Sequence, residues 1–433
     1  MCNDRPKIFR GRHFADELIL LCIRWVRGTT PSISWSLPDG IWCPSMQTLL
    51  RQRPGRIAGL ILWAGSCLAQ TNVGAMQGAK LTTPIHAVQC VAGTYFYLQA
   101  DLASSHEILM TRKRTAAAGH KLLDLETLTP GKHKSNFEIQ PSWDRKYVAI
   151  GVSLGGEGYS IRIVDAATAA VLPESITHSF DGDVGWSDSS TAFFYRKFQQ
   201  PPDGASPRAV FTNMRAYLHN LGDDPSLDKP VFGPDINAAL QLPVVGAVNA
   251  FPLPGTSLLV GVQSSAPTEL DSFWVNNTHE EGRWRKIIDH SDDVVFEFSS
   301  RSTTLYFISS RNVPSGQLMA FDAAHEDISS ARLILPASDL QLTDRNRDGV
   351  LCARDALYVY GHRKGVSALI RVPYDDPTRK TEIALPFAGV IANVSGDSRT
   401  SGLVFSLAGD AHPLTVYEYH PSKKRVIDAR LTR

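Results

Sequence analysis

What this chain lacks most is helical periodicity. Beyond the first eighty residues, no stretch repeats apolar side chains at three- and four-residue spacing over the length of a crossover helix. A parallel α/β sheet would therefore have nothing to cover its faces. Charge of one sign is lacking too: 44 Lys plus Arg against 43 Asp plus Glu leave a net +1, without long basic runs. A nucleic-acid partner would call for a basic face or stripe, so that class is disfavoured. The six cysteines (Cys2, Cys22, Cys43, Cys67, Cys90, Cys352) form no C-x-x-C pair, which argues against a zinc ribbon or a redox motif. At 433 residues the chain is too long to be organised by a dense disulfide framework. No run reaches the roughly 18 apolar residues of a membrane span. The 13 histidines contain no H-E-x-x-H and no i, i+4 pair, so the usual zinc-hydrolase pattern is missing. What remains is a globular chain, 43% hydrophobic, large enough for one big domain or two ordinary ones.

The first eighty residues read differently from the rest. Residues 1–45 follow neither period and are expected to be an upstream extension, with translation starting at Met46. Arg51, Arg53 and Arg56 then precede an apolar core at 57–68, and Cys67-Leu68-Ala69 offers small residues before a cut ahead of Gln70. That is the anatomy of a secretory signal peptide, and it sets the expected location as periplasmic or secreted. A buried helix is the competing reading. Lipidation at Cys67 is disfavoured because Ala64-Gly65-Ser66 fits a lipoprotein site poorly. Residues 46–69 are thus taken as signal-like, 70–87 as a flexible lead-in, and 88–433 as one domain.

That domain reads as strand, turn, strand. Strands are expected at 94–100, 107–112, 147–152, 160–164, 191–196, 257–263, 272–275, 303–309, 317–322, 356–360, 368–372, 402–406 and 414–419. A strand opening one unit recurs near 94, 147, 191, 257, 303, 356 and 402, about 45–65 residues apart. Units of roughly four short strands at this period indicate a β-propeller, because one blade cannot bury both of its faces alone. The fold expected is all-β, a seven-bladed β-propeller behind a signal-peptide-like segment. Residues 199–207 (QQPPDGASP) read as a surface loop.

Gly151-Val152-Ser153-Leu154-Gly155 fits the G-x-S-x-G pattern of a hydrolase nucleophile elbow. An elbow needs a helix after the serine. Here Ser160-Ile161-Arg162-Ile163-Val164 follows, which is strand-like, so Gly155-Gly156 read as a hairpin connection. No catalytic residue is assigned. Residues 344–355 place Asp344, Asn346, Asp348 and Asp355 at calcium-loop positions, with Gly349 at the sixth. Arg345, Arg347 and Arg354 dilute the charge, and an exposed Asp348-Gly349 turn is the preferred reading. No metal or cofactor is assigned. Asp181-Gly182-Asp183 and Ser291-Asp292-Asp293 are the clustered carboxylates, and blade turns explain both. His279-Glu280-Glu281 and His325-Glu326-Asp327 read as solvated turns. Trp143, Trp186, Trp274 and Trp284 are expected to pack between blades rather than to stack on sugars.

Several segments are similar in order and spacing to one family. They are Gly93-Thr94-Tyr95-Phe96-Tyr97, then Pro141-Ser142-Trp143-Asp144-Arg145-Lys146-Tyr147, then Ser153-Leu154-Gly155-Gly156-Glu157. Val184-Gly185-Trp186, Ala192-Phe193-Phe194-Tyr195 and Tyr217-Leu218-His219-Asn220-Leu221-Gly222 continue the series. Together they resemble the N-terminal propeller of prolyl oligopeptidases, serine peptidases that cleave after proline, over roughly 88–430. The resemblance implies a propeller that covers an active site and admits only small peptides. The family's Ser, Asp and His belong to an α/β-hydrolase domain that would begin where this chain stops. Its aromatic-acidic N-terminal motif has no counterpart in 1–87. The expectation is a truncated or split family member, inactive alone, whose partners would be a separate α/β-hydrolase domain and peptides. Alternatives are a stand-alone binding propeller for peptides or a protein, or a propeller glycosidase or lyase using axial carboxylates.

Overall fold

The computed structural model describes residues 85–431, apart from 117, 131–135, 154–157, 200–208, 210, 265–270, 278–282 and 345–347. The expectations for 1–45 and 46–69, and most of the lead-in, fall outside the described residues.

The first sheet is a meander of β1 (Ile85–Val91), β2 (Thr94–Ala100), β3 (Glu107–Lys113) and β4 (His120–Asp124). Next come β5 (Asn136–Pro141), β6 (Tyr147–Ser153), β7 (Tyr159–Asp165) and β8 (Val171–Ser179). They are followed by β9 (Gly185–Trp186), β10 (Ala192–Lys197), β11 (Arg215–Asn220) and β12 (Lys229–Phe232). Then β13 (Ala247–Pro252), β14 (Leu258–Ser264), β15 (Asp271–Asn277) and β16 (Arg285–Ile288) form another four-stranded sheet. So do β17 (Val294–Arg301), β18 (Thr304–Ser309), β19 (Gln317–Asp322) and β20 (Arg332–Leu335). The last two are β21 (Gly349–Cys352), β22 (Leu357–Arg363), β23 (Val366–Val372), β24 (Thr381–Ile383), and β25 (Val390–Ser395), β26 (Leu403–Gly409), β27 (His412–His420), β28 (Arg425–Asp428).

The expectation of seven separate blades is corrected by the hydrogen bonding. Among the described residues, five four-stranded sheets stand alone, while β5–β12 form one eight-stranded sheet. The physical cause is local. β9 has only two residues, so it covers just part of the edge of β10. The nine-residue β8 takes the rest: Ser179 pairs with Lys197, Phe180 N–H donates to the Arg196 carbonyl (3.0 Å), and Phe198 N–H donates to the His178 carbonyl (3.0 Å). The sequence repeat located strands without revealing this fusion.

Second strands are buried on both faces, since each is flanked within its sheet and sandwiched between neighbouring sheets. In β6 every residue after Tyr147 is buried, and β18 shows the same pattern. Such strands read as continuous apolar runs rather than alternations. Outer strands such as β4 and β28 are largely exposed. Apolar cores lie between successive meanders; one joins Phe96, Leu98 and Leu109 to Val148 and Ile150, and another joins Tyr95 and Tyr97 to Val404 and Val416. The latter brings the last sheet back onto the first. Burial of an aromatic or branched side chain contributes about 1.5–3 kcal/mol, so these inter-sheet cores hold the ring.

Each antiparallel meander enters and leaves at the same edge. The start of β1 and the end of β28 therefore share one face, here called the terminal face. The β1–β2 type of turn lies on the opposite face. First strands approach one another (β25 with β1, β1 with β5, β9 with β13, β17 with β21), which places them around the axis.

Candidate functional site

Ser153 ends β6, is buried, and pairs with Asn136. The next element among the described residues is β7, antiparallel to β6. The intervening Gly155 and Gly156 lie outside the described residues. Gly151, the first glycine of the motif, has a packing explanation. A Cβ built there would fall 2.1 Å from the Cα of Gly182, closer than any side chain tolerates. The glycine admits a neighbouring loop.

That loop carries the acidic cluster of the molecule. Gly182 N–H donates to Glu138 Oε2 (2.9 Å), and Gln140 Nε2 donates to Asp183 Oδ1 (3.1 Å). Asp181 is paired with Arg196, whose guanidinium lies 4.3 Å above the Phe180 ring. Glu138 and Gln140 belong to β5, so the cluster sits near the axis towards the terminal face. Burial, and then the neighbouring Asp183 and Asp181, push the Glu138 carboxyl up to about 7. Burial and Asp181 push Asp183 up as well. Burial together with Glu138 raises the Tyr159 hydroxyl. The sequence marked Asp181 and Asp183 but not Glu138, which lies more than forty residues earlier. Glu138 sits in a strand that also holds Asn136 and Gln140, so nothing in the sequence singles it out.

The other singled-out residues have structural partners. Asp292 caps a short turn, its Oδ2 accepting from Asp289 N–H (2.8 Å) and its Oδ1 from Arg311 (3.1 Å). His325 is exposed and bonds Asp322 at 3.0 Å, while His279 lies outside the described residues. Asp348 Oδ1 lies 2.9 Å from His362 Nδ1, and its Oδ2 accepts from Asp344 N–H (2.9 Å). Asp355 accepts from Tyr358 (2.9 Å), Arg371 (3.1 Å) and Gly402 N–H (2.8 Å). Both ends of the calcium-like loop are thus engaged by protein groups; its middle, 345–347, lies outside the described residues. Among the described residues, no set of three or more His, Cys, Asp or Glu is gathered as for a metal. Trp186, Trp274 and Trp284 pack in cores, Trp284 with its ring 4.7 Å from Phe232.

The two faces differ. Among the described residues seven large aliphatics are exposed: Leu102, Ile236, Val244, Val245 and Val366 lie on terminal-face connections, whereas Leu227, the most exposed at 74%, lies on the β11–β12 turn of the opposite face and Leu333 lies within β20. A groove lined by Val366, Ala368, Ile383, Leu385 and Phe387 opens on the same side. Ring closure involves no shared strand; beside the apolar core of Tyr95, Tyr97, Val404 and Val416 it has polar contacts. Arg112 donates to the carbonyls of Ala429 and Arg430, and Cys90 N–H donates to Ser395 Oγ (2.8 Å). Arg114 Nε and His420 Nε2 each lie 2.9 Å from Glu418 Oε2.

A ring of antiparallel four-strand meanders with first strands at the axis defines a β-propeller. The sequence profile of the prolyl oligopeptidase N-terminal β-propeller domain matches residues 81–428, and the chain belongs to this family. Among solved structures it is similar to a prolyl endopeptidase analysed for inter-domain dynamics (19% identity, TM-score 0.66, covering 80% of this chain and 48% of that one). It is also similar to prolyl oligopeptidase B from Galerina marginata without ligand (17%, TM-score 0.66, 81% and 51%). A third is oligopeptidase B from Leishmania major (12%, TM-score 0.62, 82% and 49%). The chain spans about half the length of these structures. At such identities the likeness shows the fold.

Proposed function

We propose that the chain is the substrate-gating propeller of a prolyl oligopeptidase-type serine endopeptidase, which docks through its terminal face on an α/β-hydrolase domain and is inactive alone. The observation that carries this reading is that, among the described residues, five of the seven exposed large aliphatics lie on the face where β1 begins and β28 ends. Exposed apolar side chains grouped on one side mark a surface meant to be covered. An exported location agrees with the signal-like segment from Met46. The test is to purify the chain and the product of an adjacent reading frame carrying G-x-S-x-G-G, and to assay a Gly-Pro fluorogenic amide. Turnover is expected only from the mixture, and Val244→Asp with Val245→Asp should abolish association. Turnover by the chain alone, lost in Ser153→Ala, would overturn the proposal.

The Glu138, Asp181 and Asp183 cluster favours a second reading, glycoside cleavage by axial carboxylates. A carboxyl held near neutrality is what a general acid requires. Asp181 is tied to Arg196, which leaves Glu138 and Asp183 as the pair. A panel of aryl glycosides with wild type and Glu138→Gln decides: no release by wild type ends it.

A further inference from the structure

On the opposite face, the boundary between the first and last sheets is crowded with cations. The β3–β4 turn presents Lys113 and Arg114, and the β27–β28 turn presents Lys423, Lys424 and Arg425, all exposed. Arg425 is the cross-strand partner of His420. Arg114 and His420 converge on the same oxygen of Glu418, from opposite sides of the seam. Burial, and then Arg114, Lys423 and Arg425, hold the His420 imidazole below its usual range, so all three charges are felt at one point. The acid that Arg114 and His420 bond, Glu418, is itself buried, which pushes it up to about 7. Among the described residues, no carboxylate pairs with Lys113, Lys423, Lys424 or Arg425. Arg114 thus shares Glu418 with His420, and the other four cations have no carboxylate partner among the described residues.

Such an arrangement selects a doubly charged, multi-oxygen anion. A guanidinium fork can pair two phosphate oxygens at once, while lysine adds a point charge. We propose that this seam is a binding site for a phosphate-bearing anion, gripped by Arg114 from the first sheet and by Lys423 and Arg425 from the last. The anion then bridges two sheets that share no strand. Because the grip exists only in the closed ring, binding stabilises the fold by mass action. The site is independent of the terminal face and of any catalytic partner.

The experiment titrates the purified chain with inorganic phosphate and with tripolyphosphate, at an ionic strength held constant with chloride. Two signals are followed: the melting temperature and the His420 imidazole resonances. The expected result is a saturable rise in melting temperature, with the His420 pKa moving upward as the anion favours the imidazolium. Lys423→Ala with Arg425→Ala should weaken binding at least tenfold, whereas Arg379→Ala, on another sheet, should leave it unchanged. Vesicles of phosphatidylglycerol and of phosphatidylcholine separate the sources. Selective binding to phosphatidylglycerol that tripolyphosphate competes away identifies a lipid headgroup; tripolyphosphate binding without vesicle binding identifies a soluble phosphate. A response no greater than that to chloride, or one retained in the double variant, overturns the proposal.

Discussion

The guanidinium carbon of Arg399 lies 4.3 Å from the ring centroid of Trp143, although the two residues belong to turns of different sheets. The same guanidinium reaches Asp188 at 2.9 Å, and Asp188 also accepts from Gly255 N–H. Turns from the last sheet, from both halves of the eight-stranded sheet and from the β13–β16 sheet therefore meet on the opposite face. Arg399 and Asp188 are both substantially exposed, so solvent screens their attraction. Arg399→Ala should cost about 1 kcal/mol in urea unfolding. A loss above 3 kcal/mol would mean that this contact, rather than the apolar cores, closes the ring.

Gly151 and Ser153 make opposite predictions from one motif. Gly151→Ala forces a Cβ into the backbone of Gly182 and should destabilise the protein by about 1–3 kcal/mol or prevent folding. Ser153→Ala should shift the thermal midpoint little and leave any fluorophosphonate labelling unchanged. Labelling that vanishes with Ser153 would refute the strand-end assignment.

Tyr195, His219 and Asp228 form a buried network: Asp228 Oδ2 accepts from the Tyr195 hydroxyl at 2.9 Å, and its Oδ1 lies 2.8 Å from His219 Nδ1. Tyr195→Phe leaves that carboxylate short of a donor away from water. The expected cost is about 1–3 kcal/mol, measured by chemical denaturation. A neutral outcome would show that water replaces the hydroxyl.

Glu138 sets a pH dependence. Its folded value, about 7, lies above the ordinary 4.5. The folded state therefore holds its proton more tightly than the unfolded chain does. This contribution to stability is complete below about 4.5 and is lost as pH rises through about 7. Asp183 acts in the same direction, while the nearby Arg196 favours the ionised forms. Melting temperature should fall between pH 4.5 and 7 in the wild type, and Glu138→Gln should flatten that fall. An unchanged slope in the variant would place the titration elsewhere.

Thirteen strands were legible in the sequence, and all are second or third strands of the meanders; of that set only β11 (Arg215–Asn220) was missed. Those strands are sandwiched between sheets, so they write long apolar runs such as Tyr147-Val148-Ala149-Ile150. The first strands were not legible. Asn136-Phe137-Glu138-Ile139-Gln140 is half-buried at the axis, and Gly185-Trp186 is too short to carry a period. The outer strands, such as Arg425-Val426-Ile427-Asp428, are largely exposed and look like loops.

By itself the sequence determined the all-β class, the recurrence of strands, the strand-like residues after Ser153, and the family, because apolar period and local turn chemistry are properties of neighbours along the chain. Only the tertiary structure decided that β8 crosses to β10 and fuses two meanders. It alone brought Glu138 to Asp181 and Asp183, and set Arg114 against Glu418 across the seam. Those contacts join residues tens to hundreds of positions apart, and hydrogen bonding and burial between such residues exist only once the ring has closed.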